Sequence, residues 1–126
     1  MHIQGAVDTI NDGGKYFNIN AGGSTITTAT VNSGFLQNYN STINTAEVNG
    51  GLLRNDGGTI TTAKVNNGGL LQNTPDSNIT TVMINGGTLN NDYNIFSTIT
   101  SAVLDGGTIN NGGRIDNLTG LLQNCV

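Results

Sequence analysis

A unit of fifteen or sixteen residues repeats along most of this chain, and it limits the fold more than any single motif. STITTATVNSGFLQN begins at Ser24, STINTAEVNGGLLRN at Ser41 and GTITTAKVNNGGLLQN at Gly58. SNITTVMINGGTLNN follows at Ser77 and STITSAVLDGGTINN at Ser97, so five units recur every 17 to 20 residues. Aligned, they give three apolar columns: Ile26, Ile43, Ile60, Ile79 and Ile99; Val31, Val48, Val65, Ile84 and Leu104; Leu36, Leu53, Leu71, Leu89 and Ile109. A small column of Ala29, Ala46, Ala63, Val82 and Ala102 precedes the second by two residues. No unit this short can bury three large side chains alone, but a stack of copies can, each column packing on itself.

Within a unit the apolar period is two, as in Thr59-Ile60-Thr61 and Ala63-Lys64-Val65, which indicates strand rather than helix. Thr, Ile and Val suit strands, while Asn-Gly and Gly-Gly pairs suit tight turns with positive φ. The expected fold is all-β: a single-stranded parallel β-helix (β-solenoid) of about six coils of 17–20 residues, each coil three very short strands separated by corners. At a strand spacing of about 4.8 Å the stack is roughly 30 Å long. One domain spans 1–126, with a degenerate N-terminal coil in 1–23, regular repeats in 24–111 and a shortened C-terminal coil in 112–126. In the first coil Ile10 is expected near the Val column and Phe17 or Ile19 near the Leu column. Neither end carries an obvious polar cap, so the chain reads as a piece of a longer solenoid or as one that associates end to end.

Composition removes several function classes. Only 35% of residues are hydrophobic and 10% charged, with 19 Gly and a net charge of -4, so a thin stacked core is affordable but a phosphate-binding face is not. No nucleic-acid partner is expected, and no apolar run approaches the roughly 20 residues of a membrane-spanning helix. The first residues lack the basic and apolar regions of a signal peptide. Cys125 is the single cysteine and His2 the single histidine, so no disulfide framework, metal site or cofactor is expected. The carboxylates are isolated, without the matched partners that acid–base chemistry needs, and the chain reads as no enzyme.

The polar columns divide into fold and candidate function. Asn32, Asn49, Asn66, Asn85 and Asp105, and again Asn38, Asn55, Asn73, Asn91 and Asn111, are expected to form hydrogen-bonded ladders at corners. Thr25, Thr27, Thr42, Thr59, Thr61, Thr80, Thr98 and Thr100, interrupted by Asn44 and Asn78, make two outward ranks like the T-x-T face of insect antifreeze proteins. Glu47 and Lys64 fall on adjacent coils as a surface pair. Phe35, Leu52 and Leu70 should point outward by alternation and, with Met83 and Val103, form a self-association patch. Insertions fall at one corner, Thr74 to Asp76 and Asp92 to Phe96, so Tyr39, Asp56, Asp76, Asp92, Tyr93 and Phe96 gather on one edge as a candidate binding site. Aromatic rings with carboxylates and amides suit a carbohydrate, the ring stacking on sugar CH groups.

The unit GGTITTAKVNNGGLLQN resembles the repeat of self-associating autotransporter adhesins of Gram-negative bacteria, the diffuse-adherence adhesin and antigen-forty-three group. Gly57, Gly58, Thr59, Val65, Asn66, Gly68, Gly69 and Leu71 carry the likeness. The resemblance implies a right-handed β-helix passenger on the bacterial cell surface, extracellular, acting in cell adhesion, biofilm formation and virulence. It implies partners that are other copies of the chain or host-surface glycans and proteins. It also makes Ser24, Ser41, Ser77 and Ser97 candidate glycan acceptors. The rival expectations are an ice-binding solenoid and a carbohydrate-processing β-helix.

Overall fold

The computed structural model describes residues 2–3, 6–19, 24–93 and 96–120, with side chains from Ser24 onward. Cys125 therefore lies outside the described residues, as do the side chains of the N-terminal coil, His2 among them. Strands β1 (His2–Ile3), β2 (Ala6–Ile19) and β3 (Thr25–Tyr39) come first, then β4 (Thr42–Val48) and β5 (Gly51–Asp56). The pairs β6 (Thr59–Asn66) and β7 (Gly69–Asn73), β8 (Asn78–Asn85) and β9 (Thr88–Asn91), and β10 (Thr98–Leu104) and β11 (Thr108–Asn111) follow, with β12 (Arg114–Gly120) last. Every strand pairing is parallel, and like residues pair with like: Ile26↔Ile43↔Ile60↔Ile79↔Ile99 along one side and Leu36↔Leu53↔Leu71↔Leu89↔Ile109 along the other. The molecule is a β-solenoid.

The four coils from Thr42 to Asn111 contain two strands each where the sequence suggested three, and β2 and β3 run through a whole coil as one. The first two expected strands run together without losing register, from Ile43↔Ile60 to Thr45↔Thr62 to Val48↔Val65. The bend between them shows instead in burial: Asn44 and Thr45 are both exposed between inward Ile43 and Ala46, and the same double exposure recurs at Thr61-Thr62 and Thr80-Thr81. One extended strand thus turns the chain by breaking alternation rather than by a turn.

All four columns point inward, with the Ile, Ala, Val and Leu positions of the five regular coils at most 1% exposed. Fully burying one such Ile or Leu is worth about 1.5–3 kcal/mol, so each added coil contributes a few such terms while fixing under twenty residues. Below the regular coils β2 stacks on β3, with irregularities around Gly13. Phe17 pairs with Leu36 as expected, whereas Ile10 pairs with Ala29, Asp12 takes the register beside Val31, and Ile19 stands under Asn38. Above them, Ile115 and Leu118 of β12 extend the Ile and Ala columns but are only partly buried.

Corner geometry requires glycine where coils approach most closely. A Cβ on Gly87 would meet the Asn66 carbonyl inside van der Waals contact and lie 2.5 Å from Val65 Cγ1. The opposite corner uses left-handed Asn40 (φ 51), Gly57 (φ 70) and Asp76 (φ 65), residue types that tolerate that region.

Insertions are not confined to one corner. Asn66 to Leu70 separate Val65 from Leu71, one residue more than Asn49 to Leu52 between Val48 and Leu53, and the register leaves Asn67 and Gly68 opposite the single residue Gly50. The backbone accommodates it because Asn67 and Gly68 (φ 92) turn out into solvent.

Ile60→Ala, at the centre of the longest column, is expected to destabilise the chain by about 2–5 kcal/mol in urea unfolding. Gly87→Ala is expected to cost at least as much as a typical core overpacking, about 1–3 kcal/mol, because backbone rather than a flexible side chain blocks the new methyl.

Candidate binding faces

A buried amide ladder holds the edge from which the insertions project. Asn38 Nδ2 donates to Asn55 Oδ1 at 2.9 Å, Asn55 to Asn73 at 3.0 Å, Asn73 to Asn91 at 2.9 Å and Asn91 to Asn111 at 2.9 Å. The same nitrogens also donate to corner carbonyls, Asn38 to Ser41 O and Asn55 to Gly58 O. Asn38, Asn55 and Asn73 are 0% exposed, so the ladder is a structural spine rather than a ligand site. It begins at Asn38, whose buried Oδ1 has no partner among the described residues; the residue in register with it on the N-terminal side is Ile19. On the other corner the amides run the opposite way: Asn66 Nδ2 donates to Asn49 Oδ1 at 2.6 Å and Asn49 to Asn32 at 2.9 Å, all of them partly or fully exposed.

The serine column lies inside the fold. Ser24, Ser41, Ser77 and Ser97 are at most 3% exposed. Ser41 Oγ donates to Tyr39 O at 3.1 Å, and Ser77 Oγ donates to Asn55 O at 2.8 Å while accepting the Gly57 amide at 2.7 Å. These hydroxyls serve the corner and are not presented to a glycosylating enzyme by the folded coil, which corrects the expectation of glycan acceptors there.

On the insertion edge the carboxylates are held across coils. Asp56 accepts Gln37 Nε2 at 2.9 Å and Thr74 Oγ1 at 3.2 Å, with Arg54 Nη2 at 3.9 Å. Asp92 accepts Gln72 Nε2 at 3.1 Å, the same arrangement two coils on. Tyr39 pairs in register with Asp56 and is 41% exposed, while Asp76 sits exposed in its own turn. Tyr93 and Phe96 project furthest, at 91% and 59% exposure. Two open clefts share Tyr93 in their lining. One, about 330 Å³, is lined by Asn90, Asp92, Asn110 and Asn111; the other, about 810 Å³, by Phe96, Thr98, Arg114 and Ile115. Of the six residues read from the sequence, Asp92, Tyr93 and Phe96 share one place, and Tyr39, Asp56 and Asp76 stand on earlier coils. Arg114, bonded to Asp116 across 2.6 Å, belongs to the larger cleft and was missed, because nothing in the repeat signals that β12 begins beside the insertion.

The apolar patch divides into two ranks. Phe35, Leu52 and Leu70 are half-buried and continue in register into Thr88 and Thr108 on the short strands. Met83, 40% exposed, and half-buried Val103 belong to the column of Thr30, Glu47 and Lys64 on the long strands, across the Asn-Gly corner. Glu47 and Lys64 are register neighbours, yet among the described residues no ion pair joins them; Glu47 Oε1 accepts Asn49 Nδ2 at 2.9 Å instead.

Threonine exposure also differs from the alternation rule. Thr27, Asn44, Thr61, Thr80 and Thr100 are exposed, whereas Thr25, Thr42, Thr59, Asn78 and Thr98 are half-buried. Immediately after the bend, Thr28, Thr45, Thr62, Thr81 and Ser101 form a further outward rank in register, with a hydroxyl on every coil. A strict period of two would have pointed it inward.

No protein-family model matches this chain, and no characterised protein or solved structure is significantly similar to it. Asn55→Ala is expected to cost about 3 kcal/mol in urea unfolding, since it leaves the Asn38 amide and the Asn73 carbonyl each short of a buried partner. Asn110→Ala, which removes an exposed amide bonded to Asn90 at 2.8 Å, is expected to cost under about 1 kcal/mol.

Proposed function

We propose that the chain is a non-enzymatic adhesive solenoid of the bacterial cell surface, acting by multivalent self-association or glycan binding along its faces. The observation that supports this reading most is the register itself. Every outward position on the paired strands of the regular coils recurs one coil further on, so a contact made by one coil is repeated at strand spacing by the next. Individually weak contacts then add, and avidity rather than a deep pocket provides the hold. The insertion edge suits a sugar: Tyr93, 91% exposed, lines two open clefts, one rich in amides, the other carrying Phe96 and Arg114. A glycan array is expected to give signal without cleavage of the bound sugar, and Tyr93→Ala to weaken it about tenfold, near the worth of one stacked ring. Product release from the bound glycan would favour the carbohydrate-processing reading instead.

Self-association would run through the half-buried rank on the short strands. Sedimentation is expected to become concentration-dependent for the native chain and less so for a Phe35→Ser, Leu52→Ser, Leu70→Ser triple variant. Monomeric behaviour of both would remove the lateral interface.

A second reading, ice binding, draws on the hydroxyl rank Thr28, Thr45, Thr62, Thr81 and Ser101 beside the exposed Thr27 rank. Thermal hysteresis with ice shaping by the native chain would replace the adhesive reading with this one.

A further inference from the structure

Four Asn-Gly peptides occur among the described residues: Asn49-Gly50, Asn67-Gly68, Asn85-Gly86 and Asn111-Gly112. All four lie at corners, and an asparagine followed by glycine is chemically the most labile pairing of that amide, because glycine leaves its own nitrogen unhindered. The fold treats them differently.

Asn49 is held at both ends of its amide. Its Nδ2 donates to Asn32 Oδ1 and Glu47 Oε1, its Oδ1 accepts from Asn66, and the Gly50 N–H donates to Val31 O at 3.2 Å. Asn111 accepts from Asn91 Nδ2 and from the Gly113 N–H, and Gly112 N–H donates to Asn91 O at 2.8 Å. Asn85 is exposed, but Gly86 N–H donates to Gly106 O at 3.3 Å. Asn67-Gly68 is the pair that holds the extra residue of its corner. The Asn67 side chain is exposed and makes no hydrogen bond among the described residues, nor does the Gly68 N–H. A Cβ built on Gly68 would meet only the Asn49 carbonyl, at 3.5 Å, so the turn is open on the Gly68 side while Asn67 lies against Gly86.

We infer that Asn67-Gly68 is a site of spontaneous deamidation, selected by the one-residue excess of its corner. The Gly68 nitrogen, after losing its proton to solvent, attacks Asn67 Cγ. The Cγ–Nδ2 bond breaks and ammonia leaves, closing a five-membered succinimide. Water then opens the ring at either carbonyl, leaving aspartate at 67 or an isoaspartyl link to Gly68, so the net change is water in and ammonia out. The new carboxylate stands at the corner between the Lys64–Met83 rank and the Phe35–Leu52–Leu70 rank. The chain already tolerates an acid at such a corner, where Asp105 ends the outer amide column. This inference is independent of any ligand.

The test is peptide mass spectrometry of the intact chain aged in mildly alkaline heavy-oxygen water, folded and in urea. In the folded chain Asn67 is expected to convert about tenfold faster than Asn49, Asn85 and Asn111, since those three need a local opening first. In urea the four are expected to converge. Deleting Asn67 gives the corner its neighbours' length and puts Asn66 before glycine; that new Asn-Gly is expected to be as slow as Asn49. Equal conversion of all four in the folded chain, or a fast Asn66 in the shortened corner, would overturn the inference.

Discussion

Coil-to-coil backbone hydrogen bonding is the constraint from which the rest of this structure follows. Parallel pairing at about 4.8 Å places each residue directly against its counterpart in the next coil. A position therefore has to tolerate a copy of itself, above and below, more than it has to suit its neighbours in sequence. Ile on Ile, Val on Val and Leu on Leu satisfy that condition with dispersion contacts alone. The core is thin, but it is continuous, and stability accumulates coil by coil through nearest-neighbour interfaces.

The same condition explains why asparagine, rather than any other polar residue, occupies the buried corner. A self-stacking polar side chain inside the fold must donate upward and accept from below, and a carboxamide does both. Stacked carboxylates would repel, and a hydroxyl is too short to span the strand spacing while also serving the turn. At the outer corner, where water supplies the missing partners, the rule relaxes and Asp105 takes an asparagine's place. Burial decides which of two similar-looking columns is strict.

The interior fixes spacing, and the exterior is left free to vary. Chemistry on this molecule is therefore a matter of ranks and edges. The bend within each long strand exposes two successive residues and so creates a hydroxyl rank; the insertions project Tyr93 and Phe96 beyond the sheet edge. Asp92, the carboxylate beside those rings, accepts a cross-coil bond from Gln72, Asn110 donates to Asn90 and Arg114 is bonded to Asp116, so the rings stand among polar groups already tied to one another at the clefts.

The apolar columns, the amide ladders and the parallel stack were legible in the sequence, because a repeat whose members must pack on themselves displays its own register. What the sequence could not supply was the path of the chain within one coil. The rank of Thr28, Thr45 and Thr62 went unread, since a bend without glycine or proline leaves no compositional mark. Nor did the sequence reveal that the serines point into the corner, where their hydroxyls complete backbone bonds. The excess residue in Asn67-Gly68 was visible as one more letter, but only the fixed register on either side shows that it is forced outward. Repetition determined what stacks on what; the three-dimensional closure of each coil decided which atoms meet water.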